Sequence, residues 1–159
     1  MYLSLIKNKY LSDIFSCLIF FLLYLFFPKL IYINSFAVGF DFILILLTIL
    51  IFKYENYKVV FFAFVFGLLQ DFIISIEHIG IISFIKSISI YSIGLIKQYQ
   101  FIWSSIIKYT ALFIIAFFYF FIYCFFIFNE FNFFIIYSSI LNSFLYFISM
   151  IFINKYYFN

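Results

Sequence analysis

Asp41, Asp71 and Lys86 each stand inside a run of apolar residues, and this makes them the side chains with chemistry to offer. In hydrocarbon an ionisable group at mid-helix costs about 2.5–3.5 kcal/mol on insertion scales, so its presence asks for a role. Two carboxylates and one ammonium can form a buried polar cluster with Lys86 bridging Asp41 and Asp71. Such a cluster fixes helix packing or forms a binding site. The plain alternative is three side chains snorkelling separately to a nearby interface. Other chemistry finds no support in the residue types. The chain has no H-E-x-x-H, no G-x-S-x-G and no glycine-rich phosphate loop. His78 is the only histidine and has no second ligand beside it, so it reads as a loop residue. Cys17 and Cys124 form no C-x-x-C pair. They are expected in opposite leaflets and therefore unbridged, since a disulfide needs Cα atoms within about 7 Å. A non-enzyme with no cofactor and no metal is the expectation.

The elements that position these residues follow from composition. The chain has 159 residues, 69% hydrophobic and 9% charged, with a mean hydropathy of +1.27. That leaves too little polar surface to cover a water-soluble globule, and it excludes soluble enzymes, nucleic-acid modules and disordered tails. Each membrane-crossing helix takes about 20 apolar residues. Apolar runs divide residues 1–159 into six spans at about 11–33, 36–52, 59–75, 79–96, 103–128 and 132–153. The expected fold class is an all-α polytopic membrane protein, a single domain of about six transmembrane helices in one compact bundle. Helices alone are expected, because lipid offers the backbone no other partners. Pro28 is placed to end or kink the first span. Lys7 and Lys9 precede that span without a small-residue cleavage site after it, so it is expected to stay uncleaved.

Lysines set the orientation. With the N-terminus inside, Lys7, Lys9, Lys53, Lys58, Lys97, Lys108 and Lys155 fall on the cytoplasmic side and only Lys29 outside. Both ends are then cytoplasmic. The 31 Phe and 15 Tyr reflect AT-rich coding and lipid-facing surface, with Tyr expected at the interfaces. At 1.5 Å per residue, Asp41 lies about 8 Å, Asp71 about 6 Å and Lys86 about 10 Å from the outer edge. All three therefore share one outer-leaflet layer. Ala63, Gly67 and Asp71 repeat every four residues on one helix face, and Gly80, Ser83, Ser87 and Gly94 form a matching stripe beside Lys86. Small residues let backbones approach, so the third and fourth spans are expected to pack along these faces.

Phe66-Gly67-Leu68-Leu69-Gln70-Asp71, followed by Gly80, resembles the G-L-x-x-D…G signature of the rod shape-determining MreD family. Chain length and the six-span layout are similar too. The specific part of the resemblance covers about residues 36–97. Members commonly carry a proline near the start of the second span, where this chain reads Gly39-Phe40-Asp41. The resemblance implies a non-catalytic scaffold in the bacterial cytoplasmic (inner) membrane. Such a scaffold helps assemble or position peptidoglycan synthesis so that cells stay rod-shaped. Its implied partners are an MreC-like membrane protein and, through it, MreB, RodA and a penicillin-binding transpeptidase, with no nucleic acid involved. It singles out Gly67, Asp71 and Gly80, while Asp41 and Lys86 are added from depth and Ala63 from the stripe. The alternative comes from the similar six-helix substrate-binding subunits of energy-coupling-factor vitamin transporters, in which the outer-leaflet cluster would floor a small-molecule site.

Overall fold

The computed structural model describes residues 15–26, 31–33, 36–38, 40–74, 79–99, 101–128 and 133–157. Among them are six helices: α1 (Phe15–Phe26), α2 (Phe42–Lys53), α3 (Asn56–Ile74), α4 (Ile81–Gln98), α5 (Ser105–Phe128) and α6 (Phe133–Tyr157). Two short strands, β1 (Ile31–Ile33) and β2 (Phe36–Val38), precede α2 and pair antiparallel, with Tyr32 opposite Ala37. The expectation of helices alone is corrected here. The two strands pair only with each other, so the outer edge of each leaves backbone groups that α-helices would pair within themselves.

Four helices, α3 to α6, are long and apolar enough to cross a membrane. The second expected span is corrected to a shorter helix. Of the run 11–33, Phe15–Phe26 form α1, and Pro28 lies outside the described residues. The run 36–52 divides into β2 and the 12-residue α2. Twelve residues rise about 18 Å, well short of a hydrocarbon core of about 30 Å.

Asp41 decides where α2 starts. Its Oδ1 accepts from the backbone N–H groups of Ile43 at 3.0 Å and Leu44 at 3.2 Å, two donors that the helix itself leaves unpaired. At the other end the Lys97 ammonium donates to the carbonyls of Ile51 at 2.8 Å and Tyr54 at 2.7 Å. A cation there suits the negative end of the helix dipole. Between these caps, α2 is apolar on every side except for Thr48, and such a helix belongs in the interior. Ile43, Leu47 and Ile51 are fully enclosed.

Helix α4 lies beside α2 and runs the same way, since Lys86 meets the first turn of α2 and Lys97 its last. Helix α3 runs antiparallel to α4 in the closest helix contact of the bundle. A Cβ on Gly67 would fall 2.2 Å from the Ser83 Cα, and one on Gly94 would fall 2.9 Å from the Asn56 amide nitrogen. That amide also donates to the Gly94 carbonyl at 3.2 Å. The small stripes of α3 and α4 therefore face each other, and Ala63 is fully buried between their ends. Helices α5 and α6 form the second antiparallel pair, joined at Cys124 and Ser138 near one end and at Phe113 and Phe147 near the other. Tyr146 links α6 to α2 through a 2.8 Å hydrogen bond with Thr48. The outer faces carry Phe62, Phe72, Phe84, Ile88, Phe118 and Phe144, so the chain turns its hydrocarbon outward and its polar groups inward.

Candidate functional site

The polar interior begins with helix starts and ends that fall at the same height. Asp41 opens α2, Gln70 and Asp71 lie in the last turns of α3, and Lys86 lies in the second turn of α4. Antiparallel and parallel packing then bring them together. The Lys86 Nζ stands 2.7 Å from Asp41 Oδ2, and both side chains are excluded from the surface. Lys86 also donates to the side-chain Oε1 of Gln70. The Gln70 amide returns a bond to Asp41 Oδ1 at 3.3 Å, closing a three-residue ring.

Helix α5 completes the layer. The Tyr119 hydroxyl donates to Asp41 Oδ2, and the Lys86 ammonium lies 5.8 Å from the centre of the Tyr119 ring. That distance is within cation–π range. Tyr119 stacks on Tyr123, with ring centres 6.0 Å apart. Tyr24 of α1 reaches the same layer, beside Gln70 and Tyr123. Asp41 thus accepts from two backbone amides, an ammonium, a phenol and a carboxamide. Few carboxylates are so completely supplied, and this is how a charge becomes tolerable away from water.

Asp71 belongs to a different device. It is fully buried, yet its oxygens face the backbone at the start of α4. Oδ2 accepts from Gly80 N–H and Ser83 N–H, each at 3.1 Å, and Oδ1 from Ile82 N–H at 3.0 Å. Three of the unpaired donors at a helix N-terminus are satisfied by a side chain of the preceding helix. Neither reading of the three ionisable residues, one bridge or separate snorkelling, describes them in full: Lys86 joins Asp41 to Gln70, and Asp71 caps α4. Gly80 has φ +102°, a backbone conformation open to glycine and strained for most other residues. The Gly80 carbonyl accepts from the Ser83 hydroxyl at 2.8 Å. Gly67, Asp71 and Gly80 consequently form one joint. Gly67 lets α4 come close, Asp71 holds its N-terminus, and Gly80 makes the turn into it.

Comparison with protein-family models, curated protein sequences and solved structures finds no match.

Of the residues singled out from sequence, the structure brings Asp41 and Lys86 into one pair, and Ala63, Gly67, Asp71 and Gly80 into the α3–α4 joint. His78 lies outside the described residues. Cys17 and Cys124 form no disulfide. Sequence reasoning missed Gln70, Tyr119 and Tyr123. It expected tyrosines at the interfaces, whereas Tyr119, Tyr123 and Tyr146 are buried among helices. A buried phenol needs a partner for its hydroxyl, and Asp41 and Thr48 provide one each for Tyr119 and Tyr146. Gln70 did carry a signal, because a carboxamide inside an apolar run also requires partners. Among the described residues, no group of three His, Cys, Asp or Glu side chains is placed to hold a metal.

Proposed function

We propose that this chain is a non-catalytic membrane scaffold of the bacterial cell-elongation machinery, resident in the cytoplasmic membrane and engaged with an MreC-like protein. The observation that carries the reading is the α3–α4 joint. The residues on which the resemblance to the MreD family rests, Gly67, Asp71 and Gly80, all act on the same contact between two helices. Their work is to fix a shape, which is what a scaffold needs from its signature residues. The polar layer supports the same reading, because Asp41, Gln70, Lys86 and Tyr119 spend their hydrogen bonds on one another.

Lys53, Lys58, Lys97 and Lys108 gather at the end of the bundle where α2 and α4 finish and α3 and α5 begin. With that end cytoplasmic, as the excess of lysine favours, the polar layer lies toward the outer leaflet. Through the MreC-like protein the scaffold would meet MreB, RodA and a penicillin-binding transpeptidase.

The rival reading, a substrate-binding subunit of a vitamin transporter, draws on the convergence of Tyr24, Gln70, Lys86 and Tyr123 in one layer. The test is co-purification with the MreC-like protein from native membranes, comparing wild type with Asp71→Ala at equal expression. Recovery by wild type and loss in the variant is the expected result. Asp71→Asn, checked for a monodisperse elution profile, separates a lost contact from a lost fold. If wild type brings down no MreC-like protein, the scaffold reading fails and vitamin binding is measured next.

A further inference from the structure

The turn from α4 into α5 holds its aromatic and aliphatic side chains in two different ways. Its backbone closes where the N–H groups of Ile102 and Trp103 donate to the Tyr99 carbonyl, at 3.0 and 3.1 Å. The Trp103 ring stacks on Tyr99, with centres 5.8 Å apart, and packs in part against the main core. Phe101 and Ile102 do the opposite and stand 92% and 78% exposed. Side chains of this kind left in water forfeit the same free energy that draws the helices into the membrane.

Three observations say what covers them. The first is length. Helices α3 and α4 have 19 and 18 residues, which rise about 28 and 27 Å against a hydrocarbon core of about 30 Å. Helices that fall short of the core hold the turns that join them at its boundary. The second is continuity. Ile107, Ile114, Phe118 and Phe125 are exposed at helical spacing along α5, a stripe that faces lipid, and Phe101 and Ile102 lie just beyond its end. The third is the company that the pair keeps. Tyr99 and Trp103 are rings of the kind that settle at the membrane–water interface. Lys53, Lys58, Lys97 and Lys108 gather at this end, with Glu55 the one carboxylate there among the described residues. That balance of charge suits lipid phosphates.

We infer that the α4–α5 turn is an interfacial anchor, with Phe101 and Ile102 entering the upper acyl chains of the leaflet at the lysine-rich end. The Tyr99–Trp103 pair then lies at the level of the headgroups. The anchor acts close to a structural joint. Lys97, which holds the last carbonyls of α2, is only two residues before Tyr99, so the anchor also sets the depth at which α2 ends. None of this depends on the scaffold reading or on which face of the membrane the leaflet belongs to.

Trp103 is the only tryptophan of the chain, so a single reporter can be moved to the tip of the turn. The full chain carrying Trp103→Phe with Phe101→Trp is reconstituted in vesicles of phosphatidylethanolamine and phosphatidylglycerol. Phosphatidylcholine brominated on the upper or on the terminal acyl carbons is added as quencher. Trp103→Phe with Ile102→Trp repeats the reading from a second exposed position, and Trp103→Phe with Phe118→Trp calibrates the middle of α5. Each variant is first checked for a monodisperse elution profile. At the tip, emission should fall further with upper-chain bromine than with terminal bromine, and the order should reverse at position 118. Acrylamide in the water phase should quench the tip reporters severalfold less than it quenches free N-acetyltryptophanamide. Full acrylamide quenching with no effect of either brominated lipid puts the turn in water and overturns the anchor. Shielding from acrylamide and from both brominated lipids overturns it as well, because the turn is then covered by protein, a second copy of this chain.

Discussion

Asp41 is held by five donors, and removing any one tests how much the charge depends on the rest. Lys86→Met leaves the carboxylate buried without its cation, and breaking a buried pair from one side costs about 3–5 kcal/mol. Asp41→Asn with Lys86→Met should cost clearly less than the two single changes together, because each alone strands a group that the pair satisfies. The cycle is read from unfolding in detergent micelles. Asp71→Asn with Lys86→Met should instead couple clearly less than that pair, since Asp71 gives its oxygens to the α4 backbone and makes no ion pair with Lys86. Strong coupling in that second cycle would contradict the capping role. Tyr119→Phe removes one donor to Asp41 and should cost about 1.5–3 kcal/mol by the same assay, the worth of a hydrogen bond to a charged group. Part of this layer is legible in the amino-acid sequence. Counting depth places Asp71 and Lys86 together, because rise per residue is nearly constant along α3 and α4. The count to Asp41 runs instead through residues that precede α2, and Asp41 joins the layer as the N-cap of that helix. Depth does not separate the two aspartates. Capping depends on the turn into α4, and helix periodicity carries no information about turns. Tyr119 is hidden for another reason: among 15 tyrosines, nothing local distinguishes a buried one.

At the scale of elements, the contact between α3 and α4 makes a graded prediction. Gly67→Ala sets a methyl group 2.2 Å from the Ser83 Cα, which belongs to backbone and can yield only if the helices separate. Overpacking of that kind costs about 1–3 kcal/mol. Gly94→Ala meets the Asn56 amide at 2.9 Å, the end of a side chain that can swing aside. It should cost less than Gly67→Ala in the same micelle assay, and equal costs would argue that the seam is looser than these distances require. The two stripes of small residues are readable in sequence because they repeat at helical spacing on long apolar runs. The second span is not. Residues 36–52 are so nearly apolar that hydropathy joins a strand and a short helix into one span. Asp41, which caps α2 and divides them, looks like an interruption of the span rather than its boundary.

The whole molecule predicts its own topology. Because α2 and α4 end where α3 and α5 begin, Lys58 and Ser104 lie on the same side of the membrane. In a variant lacking Cys17 and Cys124, Lys58→Cys and Ser104→Cys should react with an impermeant maleimide from the same face, which under the proposed orientation is the cytoplasmic one. Labelling from opposite faces would break the hairpin order of α3 and α4. The enclosed position of α2 has a consequence for how the protein is made. A ribosome delivers α2 before three of the helices that wall it: α3, α4 and α6 all come later in the chain. During that interval Asp41 has no Lys86, no Gln70 and no Tyr119, and a helix too short to cross the bilayer has nothing to hold it there. Segments like this cannot be settled one at a time as they leave the translocon. The nascent chain must keep α2 waiting at the membrane surface or in the insertion machinery until α4 arrives. Synthesis stalled before Lys86 would therefore expose an unpaired carboxylate on an unanchored helix, the kind of half-made product that membrane quality-control proteases remove.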